Sequence, residues 1–187
     1  MVGQKVKSHM LSYLKSHFIH FYQDVSGDIG RITMSYSGYE NCPDKTLESC
    51  IYFFTNCMEC RVYYTKNASN YCRDSNHQSE LMRFLNYINA TVWPCGADGI
   101  GGTLYKTSQL YAPRIYMTED GCYDITMTFI VPYDFYEIAP LETADFLTAC
   151  IPELLDNLSP SIFLLLLGKI KLDDAIRLVK RVVLYEQ

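Results

Sequence analysis

Two cysteines form the closest pair of potential metal ligands in the sequence. Cys57 and Cys60 are three positions apart, and two thiolates at this spacing in a tight turn can supply half of a tetrahedral zinc site. The remaining two ligands would have to come through the tertiary fold, from among Cys42, Cys50, Cys72 and Cys95. One hypothesis is therefore a small zinc-binding or thiol-active protein that uses Cys57 and Cys60. A thioredoxin-like role is disfavoured, because that motif begins a helix and this pair joins two predicted strands.

The histidines offer a second possible site. His17, His20 and Asp24 have the spacing of one helical face and could touch a cation, but two histidines that flank an apolar stripe explain the pattern better. His77 stands alone beside a predicted helix start, where we expect it to face solvent. No histidine has a nearby Ser or Cys in a nucleophile motif, and Gly-x-Ser-x-Gly is absent. We therefore predict no enzyme, no catalytic residues, no metal site and no cofactor.

Glycine and tyrosine are arranged in ways that could serve binding. The stretch from Gly96 to Gly102 could present N–H groups to a phosphate, but it follows a predicted helix and leads toward a strand, so we expect a flexible loop. Sixteen tyrosines are many for this length. They could form an interface or simply cover a solvent-facing sheet, and the candidates at predicted strand ends or in loops are Tyr63, Tyr64, Tyr71, Tyr105, Tyr111, Tyr133 and Tyr136.

Three asparagines have alternative interpretations. Asn67 and Asn89 begin glycosylation tripeptides, which have meaning only in a secreted protein, so we expect chance matches. Asn86 and Asn89 are expected to end a helix by bonding neighbouring backbone.

Hydrophobic periodicity predicts the elements that must position these residues. An apolar stripe with steps of three and four predicts a first helix over 4–24, and a two-residue period predicts a strand over 32–36. Next comes a hairpin with its turn at 56–59. It is followed by a helix that begins with a capping box of Ser75 and Gln78. The remaining segments are two hairpin strands (50–55 and 60–65), a polar loop (67–74), the capped helix (76–90) and a second loop (93–112).

A second hairpin is predicted near residue 120. Strand alternation favours a three-residue loop, Glu119 to Gly121, which pairs Met117 with Tyr123 and Ile115 with Ile125. Gly121 would supply the left-handed backbone of a bulge.

Helices are predicted beyond Pro132. The first is kinked at Pro152, and Ser159 with Pro160 opens a short helix that Gly168 closes. The last begins near Leu172, and its acidic start and basic end suit the helix dipole.

Composition limits the class of protein. The 187 residues are 49% hydrophobic and 20% charged, which predicts a single domain over 1–187 with a core over 1–158 and a helical extension over 159–187. The net charge of −5 predicts no nucleic-acid partner. Because the longest aliphatic run is only Ile162 to Leu167 and no export signal is visible, we expect no membrane association and a cytoplasmic location. In that compartment the eight cysteines would be reduced, and most would be small core residues.

The predicted order is α-βββ-α-ββ-α, an α+β fold with an antiparallel sheet of about five strands packed with helices, plus extra C-terminal helices. This order, with Glu80 to Asn89 and the hairpin from Ile115 to Pro132, resembles the YbjN-like family and the fold that it shares with type III secretion chaperones. Residues Gly168 to Ile176 are similar to the tails of some members. The resemblance implies a non-catalytic, dimeric protein that binds other polypeptides.

Self-association is predicted from one strand. The run Ile51 to Phe54 is apolar on both faces and needs two covers. Either the C-terminal helices or a second chain would cover the second face, so a homodimer is expected if the helices do not.

Overall fold

A six-stranded sheet organises the part of the chain that this computed structural model describes, which is residues 2–24, 29–91 and 113–183. The strands are β1 (Phe21–Asp24), β2 (Arg31–Ser37), β3 (Thr46–Phe53), β4 (Cys57–Tyr64), β5 (Arg114–Met117) and β6 (Ile125–Pro132). The helices are α1 (Val2–Ser16), α2 (Lys66–Asp74), α3 (Gln78–Thr91), α4 (Tyr133–Ile138), α5 (Pro140–Asp145), α6 (Ile151–Leu166) and α7 (Leu172–Val182). The strand order is β1-β2-β3-β4-β6-β5, and every neighbouring pair is antiparallel. The predicted α+β fold is confirmed, with one strand more than expected.

The additional strand replaces the end of the first predicted helix. α1 stops at Ser16 because Phe18 adopts the left-handed backbone conformation, with φ of 56°. The chain then turns, and Phe21–Asp24 pairs with β2. The prediction of a helix to residue 24 was wrong because the apolar spacing of this segment suits a helix and an edge strand alike, and pairing with β2 selects the strand.

The segment predicted as a polar loop over 67–74 is the helix α2. Asp44, from the turn between β2 and β3, accepts hydrogen bonds from the Thr65 hydroxyl and from the Asn67 backbone N–H, the latter at 3.2 Å. A carboxylate at a helix N-terminus satisfies free N–H groups and favours the helix dipole. These bonds hold the pKa of Asp44 below its usual value. The residue that caps α2 is distant in sequence, so local pattern could not reveal the helix.

The predicted capping box before α3 forms only in part. The Ser75 hydroxyl accepts the His77 N–H at 3.0 Å, but the Gln78 side chain donates to the carbonyl of Cys72 at 2.7 Å. Gln78 therefore closes the end of α2, and Ser75 also donates to the carbonyl of Leu166 at 2.6 Å.

Both hairpins form, each with a loop that differs from the prediction. Phe53 pairs with Met58, so the first turn is centred on Thr55 and Asn56 and the predicted turn at 56–59 was wrong. In the second hairpin Ile115 pairs with Met127 and Met117 with Ile125. The predicted faces are correct, but the register is displaced by two residues.

The loop of the second hairpin is longer than predicted. The Thr118 N–H donates to the Asp124 carbonyl at 2.9 Å, so the loop covers 119–123 and contains Gly121 at φ of 89° and Tyr123 at φ of 59°. The left-handed backbone predicted at Gly121 is confirmed.

A long helical segment covers the sheet. α5 continues through a π-helical turn, Phe146–Cys150, into α6, and this irregular turn lies just before Pro152, where a kink was predicted. The predicted helix start at Ser159 was wrong, because Pro160 lies inside α6. Residue 158 therefore falls within one helix, and the proposed boundary between core and extension has no structural break.

The core occupies one face of the sheet. Alternate strand residues such as Ile32, Ile51 and Cys60 are buried under the helices, and Phe146 and Phe163 bring rings against Phe129 and Tyr64. Within the described chain one helix, Pro140–Leu166, is long and apolar enough to cross a membrane, but 67% of its most apolar window is buried in the protein. Its hydrophobicity is thus used for packing on the sheet.

Side-chain hydrogen bonds attach α6 to the turn after β2, and α3 to the edge strand β5. Asp156 of α6 accepts hydrogen bonds from the Asn41 backbone and side chain at 3.1 and 2.8 Å and from the Cys42 thiol at 3.1 Å. At β5 the Asn89 amide exchanges two hydrogen bonds with the backbone of Ile115, at 2.9 and 2.8 Å. Asn89 therefore caps an edge strand, which corrects the expected local role at the end of α3.

Candidate functional site

Cys57 and Cys60 lie on opposite faces of the sheet. Both belong to β4, where successive side chains alternate, so an odd spacing separates their thiols. Cys60 faces the core and is fully buried, whereas Cys57 is half-buried on the other face. The two cannot hold one ion in this conformation, and a zinc or thiol role that uses both stays a prediction that would require the strand to rearrange.

The Cys60 thiol lies in a non-reactive environment. It is 3.5 Å from the Ser49 hydroxyl and donates weakly to the carbonyl of Leu147 at 3.9 Å. Burial raises the pKa of Cys60 to about 12. A thiolate nucleophile needs a lowered pKa and access to solvent, and this thiol has neither.

The structure does not bring the histidine group together on one helix face. His17 follows the end of α1 and stacks on Tyr13, with ring centroids 4.0 Å apart. His20 lies in the connection to β1, and Asp24 pairs with Arg31 at 2.9 Å. Among residues 2–24, 29–91 and 113–183, no group of three or more His, Cys, Asp or Glu side chains could hold a metal ion.

His77 is half-buried, with 41% of its side chain exposed. Its Nδ1 is 2.5 Å from the Glu80 carboxylate, and its ring lies against Gly168. The residue therefore joins the start of α3 to the end of α6.

Several predicted features have other positions or other roles. The glycine stretch from Gly96 to Gly102, the loop at 93–112, Cys95, Tyr105 and Tyr111 lie outside the described residues. The Asn67 amide donates to Asp44, and the Asn89 amide is bound to Ile115, so both side chains of the glycosylation tripeptides already have structural partners.

The second face of the sheet carries no described helix and is the surface to which the candidate site belongs. Strand register places its side chains in rows that cross the sheet. The central row is Asp24, Arg31, Tyr52, Glu59 and Ile130, in that order from β1 to β6. We name this surface the open face; its other residues are Tyr22, Thr33, Ser35, Ser37, Thr46, Glu48, Cys50, Phe54, Cys57, Arg61, Tyr63, Arg114, Tyr116, Thr126, Thr128 and Pro132. Of these, Cys50 and Thr126 are buried.

Tyr52 is held rigidly at the middle of the open face. The guanidinium groups of Arg31 and Arg61 lie 5.9 and 5.0 Å from its ring centroid. Glu59 fixes Arg61 with two hydrogen bonds, at 2.9 and 3.1 Å, and accepts a third from Thr128 at 3.0 Å. Because these side chains are already ordered, a partner that binds here would lose little of their conformational entropy.

One end of the open face is apolar. Phe54 and Ile130 expose 47% and 58% of their surface, and Pro132 is exposed beside the half-buried Cys57. The Phe54 ring also stacks near Tyr52, with centroids 6.4 Å apart. Exposed apolar side chains grouped at one end of a polar sheet are typical of a protein-binding surface.

The predicted interface tyrosines divide between the core and the surface. Tyr64, Tyr133 and Tyr136 are almost fully buried, and their hydroxyls bond to the Leu155 carbonyl, to the Phe54 carbonyl and to His9. Tyr71 is 44% exposed, and Tyr63 is half-buried on the open face. Tyr22, Tyr52 and Tyr116 also lie on the open face and were not among the predicted interface tyrosines. Their placement depends on β1 and on the strand registers as well as on alternation.

A small groove lies on the helical side, between α1 and α4. It has a volume of about 400 Å³, and its polar walls are the pairs Lys5 with Glu137 and His9 with Tyr136. These groups pair with one another, and Lys5 is largely exposed, so the groove is a shallow surface feature and we do not assign it a ligand.

Comparison with known proteins found no matching family model, no matching curated protein and no matching solved structure. The resemblance to the YbjN-like family therefore stays a prediction from the order of elements.

Proposed function

We propose that this chain is a non-catalytic protein-interaction module of the cytoplasm that binds other polypeptides on the open face of its sheet. The observation that carries the proposal is the composition of that face. It presents rigid tyrosines and arginines around an apolar end formed by Phe54 and Ile130. Tyrosine and arginine are enriched at protein interfaces because they combine large contact area with hydrogen bonding.

The chemistry of the buried cysteines weighs against the alternative, thiol-active role. The buried thiols of Cys42, Cys60 and Cys72 have pKa values raised to about 12, chiefly by burial, so they are neutral and unreactive at physiological pH. The chaperone-like resemblance implies the same class of function by analogy.

Binding of a fluorescent, permanently unfolded and alkylated polypeptide tests this proposal. We expect saturable binding by the native chain, measured as fluorescence anisotropy, and binding at least tenfold weaker after the combined change Phe54→Lys and Ile130→Lys. Binding would then have to remove water from the two lysine charges at the apolar end, which is unfavourable.

The matched control changes exposed apolar residues on the helical side, Ile138→Lys and Leu141→Lys, which are 81% and 58% exposed. This variant should bind the polypeptide like the native chain. No binding by the native chain, or equal losses in both variants, would contradict the proposal.

A further inference from the structure

The charges on the open face are balanced, so the face can associate with the same face of a second copy of the chain. It carries three carboxylates and three guanidinium groups, so its formal charge is zero; they are Asp24, Glu48, Glu59, Arg31, Arg61 and Arg114. The whole chain carries a net charge of −5, and two copies therefore repel each other at long range. The neutral face does not add to this repulsion. Asp24 with Arg31 and Glu59 with Arg61 already form ion pairs within the chain, so Glu48 and Arg114 are the opposite charges that can pair between two copies.

The size of the face also suits a second copy. Six strands spaced about 4.8 Å apart, with up to eight residues at about 3.3 Å each, give roughly 600 Å² of projected area. A stable protein–protein interface buries about 800 Å² on each partner, and the relief of side chains adds to the projected value. The sheet can thus supply most of a standard interface, with Cys50 and Thr126 already buried and adding nothing to it.

A second copy would also cover the exposed apolar end. Phe54 and Ile130 are large apolar residues that the described helices do not shield, and the neighbouring Pro132 is also exposed. In a two-fold arrangement each copy presents the same cluster, so one association would remove both clusters from water.

We infer that the open face pairs with the open face of a second copy of this chain, as a two-fold face-to-face dimer that competes with other polypeptides. The inference rests on the proposed function in that both assign binding to the same surface. A strongly basic or acidic partner is disfavoured, because a face of zero formal charge attracts neither.

Light scattering on the full chain tests the inference through charge reversal. The native chain should have a mass of about 43 kDa at micromolar concentration, twice the 21.6 kDa of one chain. The variant Glu48→Lys with Glu59→Lys gives every copy a positive face, and Arg61→Glu with Arg114→Glu gives every copy a negative face. Each variant alone should be monomeric, because like charges then oppose each other.

Mixing the two variants in equal amounts should restore the dimer, because the faces are then complementary. This restoration separates loss of the interface from loss of the fold, which far-ultraviolet circular dichroism of each variant checks independently. Reversal of two exposed charges on the helical side, Glu142→Lys with Asp173→Lys, should leave the native mass unchanged.

A native chain that stays monomeric at all concentrations, a mixture that stays monomeric, or a dimer that survives both reversals would each overturn the inference. The outcome is independent of the polypeptide assay. Monomers that still bind the unfolded polypeptide through Phe54 and Ile130 would leave the proposed function standing, and dimers that bind no polypeptide would remove the proposed function alone.

Discussion

Cys60 links the ionisation of a single side chain to the stability of the sheet. Its thiol is fully buried on the core face, and its pKa is raised to about 12 by burial. In the unfolded chain the thiol has an ordinary pKa near 9, so between these values the unfolded state loses a proton that the folded state keeps. The stabilising contribution is therefore complete below about pH 9 and is lost as the pH rises toward 12.

We expect Cys60→Val to reduce the loss of stability at alkaline pH. Urea titrations between pH 8 and 11 should show a shallower fall in the free energy of unfolding than in the native chain, by up to about 1.4 kcal/mol for each pH unit. Met58→Leu changes a buried neighbour on the same strand face without a titratable group and should keep the native slope. Identical slopes in the Cys60 variant and the native chain would show that this thiol does not carry the effect.

Substitutions at Gly168 and Gly121 distinguish two ways in which an added methyl group lowers stability: backbone strain and steric overlap with a neighbouring side chain. Both have left-handed backbone, with φ of 64° and 89°, but a Cβ at Gly168 would lie 2.6 Å from His77 Nε2, whereas a Cβ at Gly121 would meet nothing within 4 Å. Gly121→Ala should cost about 1 kcal/mol of unfolding free energy and Gly168→Ala at least about 2 kcal/mol.

A double-mutant cycle identifies the source of the difference. Adding His77→Ala to Gly168→Ala should recover the part of the loss that exceeds the backbone cost. Equal losses at the two glycines in denaturant titrations would mean that the His77 ring moves aside freely.

At the scale of elements, helices and strands were predicted correctly where the local hydrophobic pattern was compatible with only one type of secondary structure. The alternation of β2 and β6 and the periodic apolar residues of α3 and α7 each specified a strand or a helix without reference to the rest of the chain. β1 and α2 were missed because their decisive partners are distant: β1 is selected by pairing with β2, and α2 is capped by Asp44. The open face was missed for the same reason. Its residues come together only through the registers of the five neighbouring strand pairs, which local sequence patterns do not specify.

The cap on α2 provides a test at this scale. Asp44→Ala removes the acceptor for Thr65 and for the Asn67 N–H and should lower the free energy of unfolding by about 1 kcal/mol at pH 7. Because the pKa of Asp44 is lowered in the folded state, its contribution is present above the unfolded value near 4 and is lost at lower pH. The difference between variant and native chain should therefore shrink in acid.

Glu40→Ala is the matched control for this experiment. Glu40 pairs with Lys45 on the exposed surface of the same turn, and its removal should change stability by less than about 0.5 kcal/mol. Equal effects of the two substitutions in denaturant titrations would show that the turn, not the cap, determines the loss.

For the whole molecule, one surface cannot hold two partners at once. If a second copy and an unfolded polypeptide compete for the open face, saturating polypeptide should dissociate the dimer. Sedimentation velocity at about 50 µM chain should show the 43 kDa species replaced by one chain with one bound polypeptide. A complex that contains two chains and a polypeptide would contradict this competition.

The late position of α6 in the chain has a consequence for synthesis on the ribosome. The apolar face formed by Ile51, Cys60 and Val131 is complete once β6 has emerged, but its cover includes Leu155 and Ile162, which are made afterwards. At a synthesis rate of roughly 5–20 residues per second, that face remains exposed to water for seconds in each nascent chain. A chain that terminates after residue 139 should consequently be recovered in the insoluble fraction, because it exposes this apolar face without its cover.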